Sequence, residues 1–208
     1  TRVRALGPNG NGYDLAAAGE RVILIGGGLG IPPLLFAARR LRERGNAKVV
    51  AVLGYRKERY CADEMRNFCE EVYVVSEEAH PPANRDARGF GREAVRRGNA
   101  MDLLETIAAS GELDISGATV LSCGPKPMLR AVARWAEARR IPAQLSLEER
   151  MGCGYGACVG CACSVRVRED DARSDSGAGS EFAVLRRKVC ADGPVFWSDE
   201  IIWEEDLR

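Results

Sequence analysis

Five of the chain's eight cysteines fall between residues 153 and 190, and three of them sit in a run threaded with glycine, Gly152-Cys153-Gly154-Tyr155-Gly156-Ala157-Cys158-Val159-Gly160-Cys161. The spacing is C-x4-C-x2-C, at which three thiolates on one loop, joined by a distant fourth cysteine, hold a [2Fe–2S] cluster. Gly152, Gly154, Gly156 and Gly160 let the backbone come close to the metal and adopt positive φ. Loop amides turned toward cluster sulfur would offset its buried negative charge and tune its potential. A further cysteine, Cys190, lies beyond a polar tract. A zinc knuckle could use Cys158 and Cys161 as one half, but no second pair of similar spacing follows. A disulfide framework would spread its cysteines through a small secreted chain. Here Cys61, Cys69 and Cys123 stand singly in a different region, so a local cofactor site in a reducing compartment is the better reading. Cys163, two residues past Cys161 where a strand begins, reads as a structural thiol, and Cys61 and Cys69 read as small buried residues.

The 208 residues are enough for one large or two small domains, and 30 Lys and Arg balance 30 Asp and Glu. That balance gives no basic surplus for nucleic acid or an anionic membrane. The longest apolar stretches, Val22–Ile25 and Ile31–Ala38, are too short to span a bilayer. Thr1–Gly12 shows no apolar signal segment, so a cytoplasmic location is expected.

Between Arg21 and Leu147, short apolar runs alternate with helical patterns. Strands are expected at Val22–Ile25, Lys48–Leu53, Val72–Val75, Ala118–Leu121 and Ala143–Leu147, and helices at Pro33–Arg44, Ala62–Glu70, Ala100–Ala109 and Lys126–Arg139. Alternation of this kind predicts an α/β fold with a mainly parallel sheet covered on both faces. Thr1–Gly19 and His80–Gly91 read as loops, and Asp170–Glu181 as an exposed polar loop. Ser164–Arg168 and Phe182–Cys190 read as strands of a second unit, ahead of an acidic tail at Asp199–Asp206. The expected organisation is therefore a leading segment 1–19, a nucleotide-binding domain 20–147 and a small cluster domain 148–208.

Two turns belong on the carboxyl edge of the sheet, where ligands of such folds bind. Gly26-Gly27-Gly28-Leu29-Gly30 joins a strand to a helix that has Pro32 and Pro33 in its first turn. It suits either a pyrophosphate at a helix N-terminus or simple close packing, and it does not match G-x-G-x-x-G. Ser122-Cys123-Gly124-Pro125-Lys126-Pro127-Met128 is a tight strand-to-helix corner that alone favours no function. Arg56 and Lys57, after the second strand, suit either a 2′-phosphate contact or a solvated basic loop.

Taken together, these turns resemble those of ferredoxin-NADP reductase–like proteins. With Ser146–Cys158 and Cys190-Ala-Asp-Gly-Pro-Val-Phe196 added, the chain resembles the PyrK family, the electron-transfer subunits of type B dihydroorotate dehydrogenase. Gly7–Leu15 is similar to the end of that family's flavin domain. The resemblance implies that Gly26, Gly27, Gly28 and Gly30 hold the pyrophosphate of NAD. It implies that Cys123, Gly124, Pro125 and Met128 border the nicotinamide, and that Cys153, Cys158, Cys161 and Cys190 ligate the [2Fe–2S] cluster. It further implies FAD on a preceding β-barrel of roughly a hundred residues. That barrel's Arg-x-Tyr-Ser motif has no match here, so FAD is an expectation for a complete protein. The implied partner is a catalytic dihydroorotate dehydrogenase subunit in a heterotetramer, with no membrane or nucleic acid involved. The expected function is an oxidoreductase subunit that relays electrons between that partner and NAD, with no catalytic acid or base of its own. Two other functions fit the same residues: a reductase subunit serving another acceptor, or a cluster-bearing scaffold without enzymatic activity.

Overall fold

The computed structural model describes residue 2 and residues 5–45, 48–78, 96–168 and 182–203. The loops expected at His80–Gly91 and Asp170–Glu181, and the end of the acidic tail, lie outside the described residues. Strand β1 (Arg21–Gly27) is the centre of a seven-stranded sheet. Val22 through Ile25 have no exposed surface, which a strand achieves only with neighbours on both edges and layers on both faces. β2 (Lys48–Tyr55) flanks β1 in parallel on one side, and β5 (Ala118–Cys123) on the other. Outward from β2 come β3 (Glu71–Ser76) and the two-residue β4 (Arg96–Arg97); outward from β5 comes β6 (Ala143–Ser146).

Alternate side chains of β1 feed two separate layers. Val22 and Leu24 pack with Ile31, Leu34, Ala38 and Leu41 of α1 (Ile31–Glu43) and with Met65 of α2 (Ala62–Met65). Ile23 and Ile25 pack with Leu103, Leu104 and Ile107 of α3 (Ala100–Ala109) and with Leu129 and Val132 of α4 (Lys126–Arg139). Local signals set the helix ends: Asn99 Oδ1 accepts from the N–H groups of Met101 and Asp102 at 2.9 and 3.0 Å to cap α3. Helix α2 is far shorter than the Ala62–Glu70 expected. After Met65 the bonds tighten to Asn67 N–H on Glu64 and Phe68 N–H on Met65, and Glu70 N–H is drawn onto the Val49 carbonyl at 2.8 Å, into the sheet.

A second sheet, ordered β10-β7-β8, is antiparallel and comprises β7 (Ala162–Arg168), β8 (Phe182–Lys188) and β10 (Ile201–Ile202). The stretch between β8 and β10 returns to the large sheet: β9 (Val195–Trp197) pairs antiparallel with β6, Leu145 opposite Phe196. Hydrogen bonds from Leu147 N–H to the Pro194 carbonyl and from Ser198 N–H to the Ala143 carbonyl, both 2.8 Å, extend this seam. Residues 195–197 are thus part of the sheet built by residues 21–146, so the expected partition at residue 147 cuts through a strand pair.

The leading segment is irregular, as expected of a loop, yet it is fastened down. Gln144, 2 % exposed, bonds both the N–H and the carbonyl of Asp14 at 2.7 and 2.9 Å. Tyr13 donates its hydroxyl to the Ser122 carbonyl at 2.9 Å. Asn11 bonds both the carbonyl and the N–H of Val195 at 2.8 and 2.9 Å. Among the described residues, no helix is long and apolar enough to cross a membrane.

Candidate functional site

The cysteine run lies between the end of β6 and the start of β7, and Cys190 sits just past β8. The β7–β8 pairing of Ala162 with Lys188 brings those two chain segments side by side. Cys161 and Cys190, 1 % and 8 % exposed, face each other with their sulfurs 3.3 Å apart. Cys153 and Cys158 form the other pair, the Cys158 N–H pointing at Cys153 Sγ at 3.3 Å. Gly154 and Gly156 have φ of +76° and +90°, which turns the neighbouring amides inward.

The Cys153 thiol is pulled down to about 6 by N–H groups of Cys158, Tyr155 and Ala157, against a smaller opposing effect of burial. Hydrogen bonds given to a thiolate stabilise its charged form. Cys190 is pushed the other way, first by its hydrogen bond with Cys161 and then by burial, partly offset by the Gly156 N–H. Among the described residues, no three of His, Cys, Asp or Glu converge as one metal ion would need. Two separate thiol pairs beside one amide-lined loop suit a cluster that places two sulfur ligands on each of two irons. They suit a single tetrahedral zinc less well. The other thiols take no part in this arrangement. Cys163 is in β7 opposite Arg187 and half-buried, its thiol raised by burial. Cys61 and Cys69 lie beside the α1 layer with thiols likewise raised by burial.

The two turns meet at the point where the strand order reverses, because β1 and β5 are neighbours with Gly26 opposite Cys123. A Cβ on Gly30 would run into the Cys123 carbonyl, and one on Gly27 would lie 2.6 Å from Met128 Sδ. A Cβ on Gly124 would lie 3.2 Å from the Gly27 backbone, so the turns pack main chain against main chain. Gly26 in turn makes room for Ile31 and Leu34. Packing therefore explains three of the four glycines at 26, 27, 28 and 30. Gly28 differs, with φ +51° and open space where a Cβ would point. Pro32 and Pro33 bring no N–H to the first turn of α1, so an anion here would be met by the amides of the turn itself.

Beneath the turns, the Ser122 hydroxyl donates to the Ile25 carbonyl at 2.9 Å and ties β5 to β1. Burial raises the Cys123 thiol, with Ser146 opposing and Glu148 adding to the shift. Burial, followed by the proximity of Cys123, raises the Tyr13 phenol well above its ordinary value. The sequence pattern missed Asn11, Tyr13 and Gln144. Their partners lie 184, 109 and 130 residues away, and only the Asn-Gly-Asn-Gly composition around residue 11 hinted at a constrained turn.

Residues 148–202, the span holding Cys153, Cys158, Cys161 and Cys190, match the iron–sulfur cluster binding domain of dihydroorotate dehydrogenase B. Over nearly all of its length the chain is similar to dihydroorotate dehydrogenase B (NAD(+)) electron transfer subunits. It is 42% identical over 202 residues to that of Bacillus caldolyticus, covering 96% of this chain and 65% of the relative. It is 41% identical over 202 residues to that of Geobacillus kaustophilus, with the same coverage. Against that of Caldanaerobacter subterraneus the identity is 36% over 197 residues, covering 95% of this chain and 65% of the relative. The chain thus spans about 65% of the length of these relatives. A solved structure of an NADH-dependent reduced ferredoxin-NADP oxidoreductase superposes with a TM-score of 0.67 at 24% identity, covering 97% of this chain and 60% of that one. This likeness shows that the chain has an α/β fold of ferredoxin reductase type.

Proposed function

We propose that this chain is the electron-transfer part of a type B dihydroorotate dehydrogenase, passing electrons between a catalytic partner subunit and NAD in pyrimidine biosynthesis, in the cytoplasm. The observation that carries the reading is the approach of Cys190 to Cys161 on the cysteine loop, together with the Cys158 N–H aimed at Cys153 Sγ on that loop, within residues that match the iron–sulfur domain of that enzyme. When bound, a [2Fe–2S] cluster moves single electrons, and FAD mediates between it and the two-electron nicotinamide. The four thiolates would hold the irons, while N–H groups of Tyr155, Ala157 and Cys158 stabilise negative charge on Cys153. The turn around Gly28 would approach the pyrophosphate of NAD, and Cys123–Pro125 with Met128 would shape the nicotinamide end. No residue here acts as acid or base on dihydroorotate, which is the task of the partner. Met151, Tyr155 and Val159 on the cysteine loop are 49%, 58% and 73% exposed, an apolar rim that a partner subunit would cover.

Iron and acid-labile sulfide analysis after anaerobic purification tests the reading directly. About two of each per chain are expected, with an electron paramagnetic resonance signal on reduction. Cys161→Ser should cut the sulfide content severely, while Cys163→Ser should leave it near the parent level. Zinc without sulfide would sink the electron-transfer reading.

A further inference from the structure

The carboxyl edge that holds the glycine turn continues past it along the ends of β2 and β3. In register, Gly27 lies beside Gly54, and Tyr55 beside Ser76. Each step is one strand spacing, so the ends of β2 and β3 lie about 5 and 10 Å from the glycine turn. An adenosine leaving a pyrophosphate at that turn runs out over this distance. The first two basic residues beyond β2 are Arg56 and Lys57, and each is already matched by an acid. Arg56 Nε is 3.9 Å from a carboxylate oxygen of Glu77, and Lys57 Nζ is 3.6 Å from one of Glu78. The match is fixed by backbone, because the sheet ladder runs on past β3. Glu77 N–H bonds the Tyr55 carbonyl at 3.1 Å, and Glu78 N–H bonds the Arg56 carbonyl at 3.3 Å. The same strand end carries Ser76, whose buried hydroxyl has no hydrogen-bond partner among the described residues.

We infer that Glu77 and Glu78 are the residues that make this chain choose a dinucleotide with a free ribose 2′-hydroxyl over its 2′-phosphorylated form. The inference rests on the nucleotide reading of the glycine turn given above. Arg56 and Lys57 alone would form a receptor for a 2′-phosphate, since paired cations suit a dianion. With Glu77 and Glu78 opposite, the local charge sums to zero, and a phosphate entering beside two carboxylates is repelled. A ribose hydroxyl meets the reverse situation, because a carboxylate accepts its hydrogen bond. All four side chains are largely exposed, so the pairs add little to folding, and their removal leaves the fold in place.

The test titrates the full chain with NADH and with NADPH, following nucleotide fluorescence, for the parent and for Glu77→Gln/Glu78→Gln. The parent should bind NADH at least about tenfold more tightly than NADPH, and rising salt should shrink that preference. In the double variant NADPH binding should tighten and the preference should fall by about tenfold, while NADH binding weakens by no more than a few-fold because glutamine still accepts from the hydroxyl. Glu58→Gln removes the same charge from the neighbouring exposed position and should leave the preference intact. An unchanged preference in the double variant, with NADH still bound, overturns the inference alone. An equal effect from Glu58→Gln overturns it too, since net charge would then explain the change. Binding of neither nucleotide by the parent chain overturns the nucleotide reading and the inference with it.

Discussion

At the scale of single residues, the thiols show how strongly environment sets chemistry on one chain. Cys69 packs at the margin of the α1 layer, and burial alone pushes its pKa up to about 12. Cys153, on a loop whose amides point at its sulfur, is drawn down to about 6. The Cys69 shift ties stability to pH. In the unfolded chain the thiol ionises near its ordinary value of 9.0, whereas in the fold it keeps its proton up to about 12. Between those values the folded state binds more protons than the unfolded state, so stability falls as pH rises, by up to about 1.4 kcal/mol per pH unit. Tyr13, Tyr55 and Tyr73, whose phenols burial also raises, act in the same direction at higher pH. The share of Cys69 is isolated by urea unfolding of the parent and of Cys69→Ala between pH 8.5 and about 11. The parent should lose stability more steeply than the variant, and parallel curves would show that the thiol is not confined as described.

At the scale of elements, the leading segment acts as an edge cover. Asn11 occupies both hydrogen-bonding groups of Val195 and adds a 3.2 Å bond to the Asp192 carbonyl, so its side chain stands in for a further strand beside β9. Asn11→Ala should lower stability by about 1–3 kcal/mol, because it leaves the polar groups of a half-buried strand unmatched. Asn9→Ala, which removes only exposed bonds of 3.4 and 3.5 Å, should change it by less than about 0.5 kcal/mol. Thermal unfolding of the two variants makes the comparison. The same region marks what can be read from sequence. α3 and α4 fall within the bounds their periodicity predicted, since their apolar spacing and the α3 cap are local. The cysteine spacing was equally legible, because one loop must carry three thiols past the same centre. β9 was not, as three residues after Gly193-Pro194 acquire strand character only from β6, which lies about fifty positions earlier in the chain. Nor was the shortness of α2, which is decided by the pull of Glu70 into the sheet, nor the acids opposite Arg56 and Lys57, which only the strand order brings together.

At the scale of the whole molecule, the half that carries the cysteine loop and the half that carries the glycine turn are coupled through a shared sheet and a shared core. Cys161, Val165, Val189, Cys190, Phe196 and Ile201 belong to the same buried cluster as Leu129 and Val132 of α4. A chain ended after Leu147 would lose β9 and leave β6 at the sheet edge. All four residues of β6 are buried in the intact chain, so the cut uncovers apolar surface together with unpaired backbone groups. Loss of Phe196 alone, 7 % exposed, should cost about 3–5 kcal/mol. A fragment of residues 1–147 should therefore aggregate or unfold at a distinctly lower temperature than one of residues 1–203, rather than survive as a soluble domain. Two independent domains would behave otherwise: the short fragment would unfold in one sharp transition near the midpoint of the longer chain. Scanning calorimetry of both chains separates these outcomes. One cooperative transition in the longer chain and none in the shorter would mean that the cysteine loop and the glycine turn stand on a single folding unit, with the spacing between them set by the β6–β9 seam.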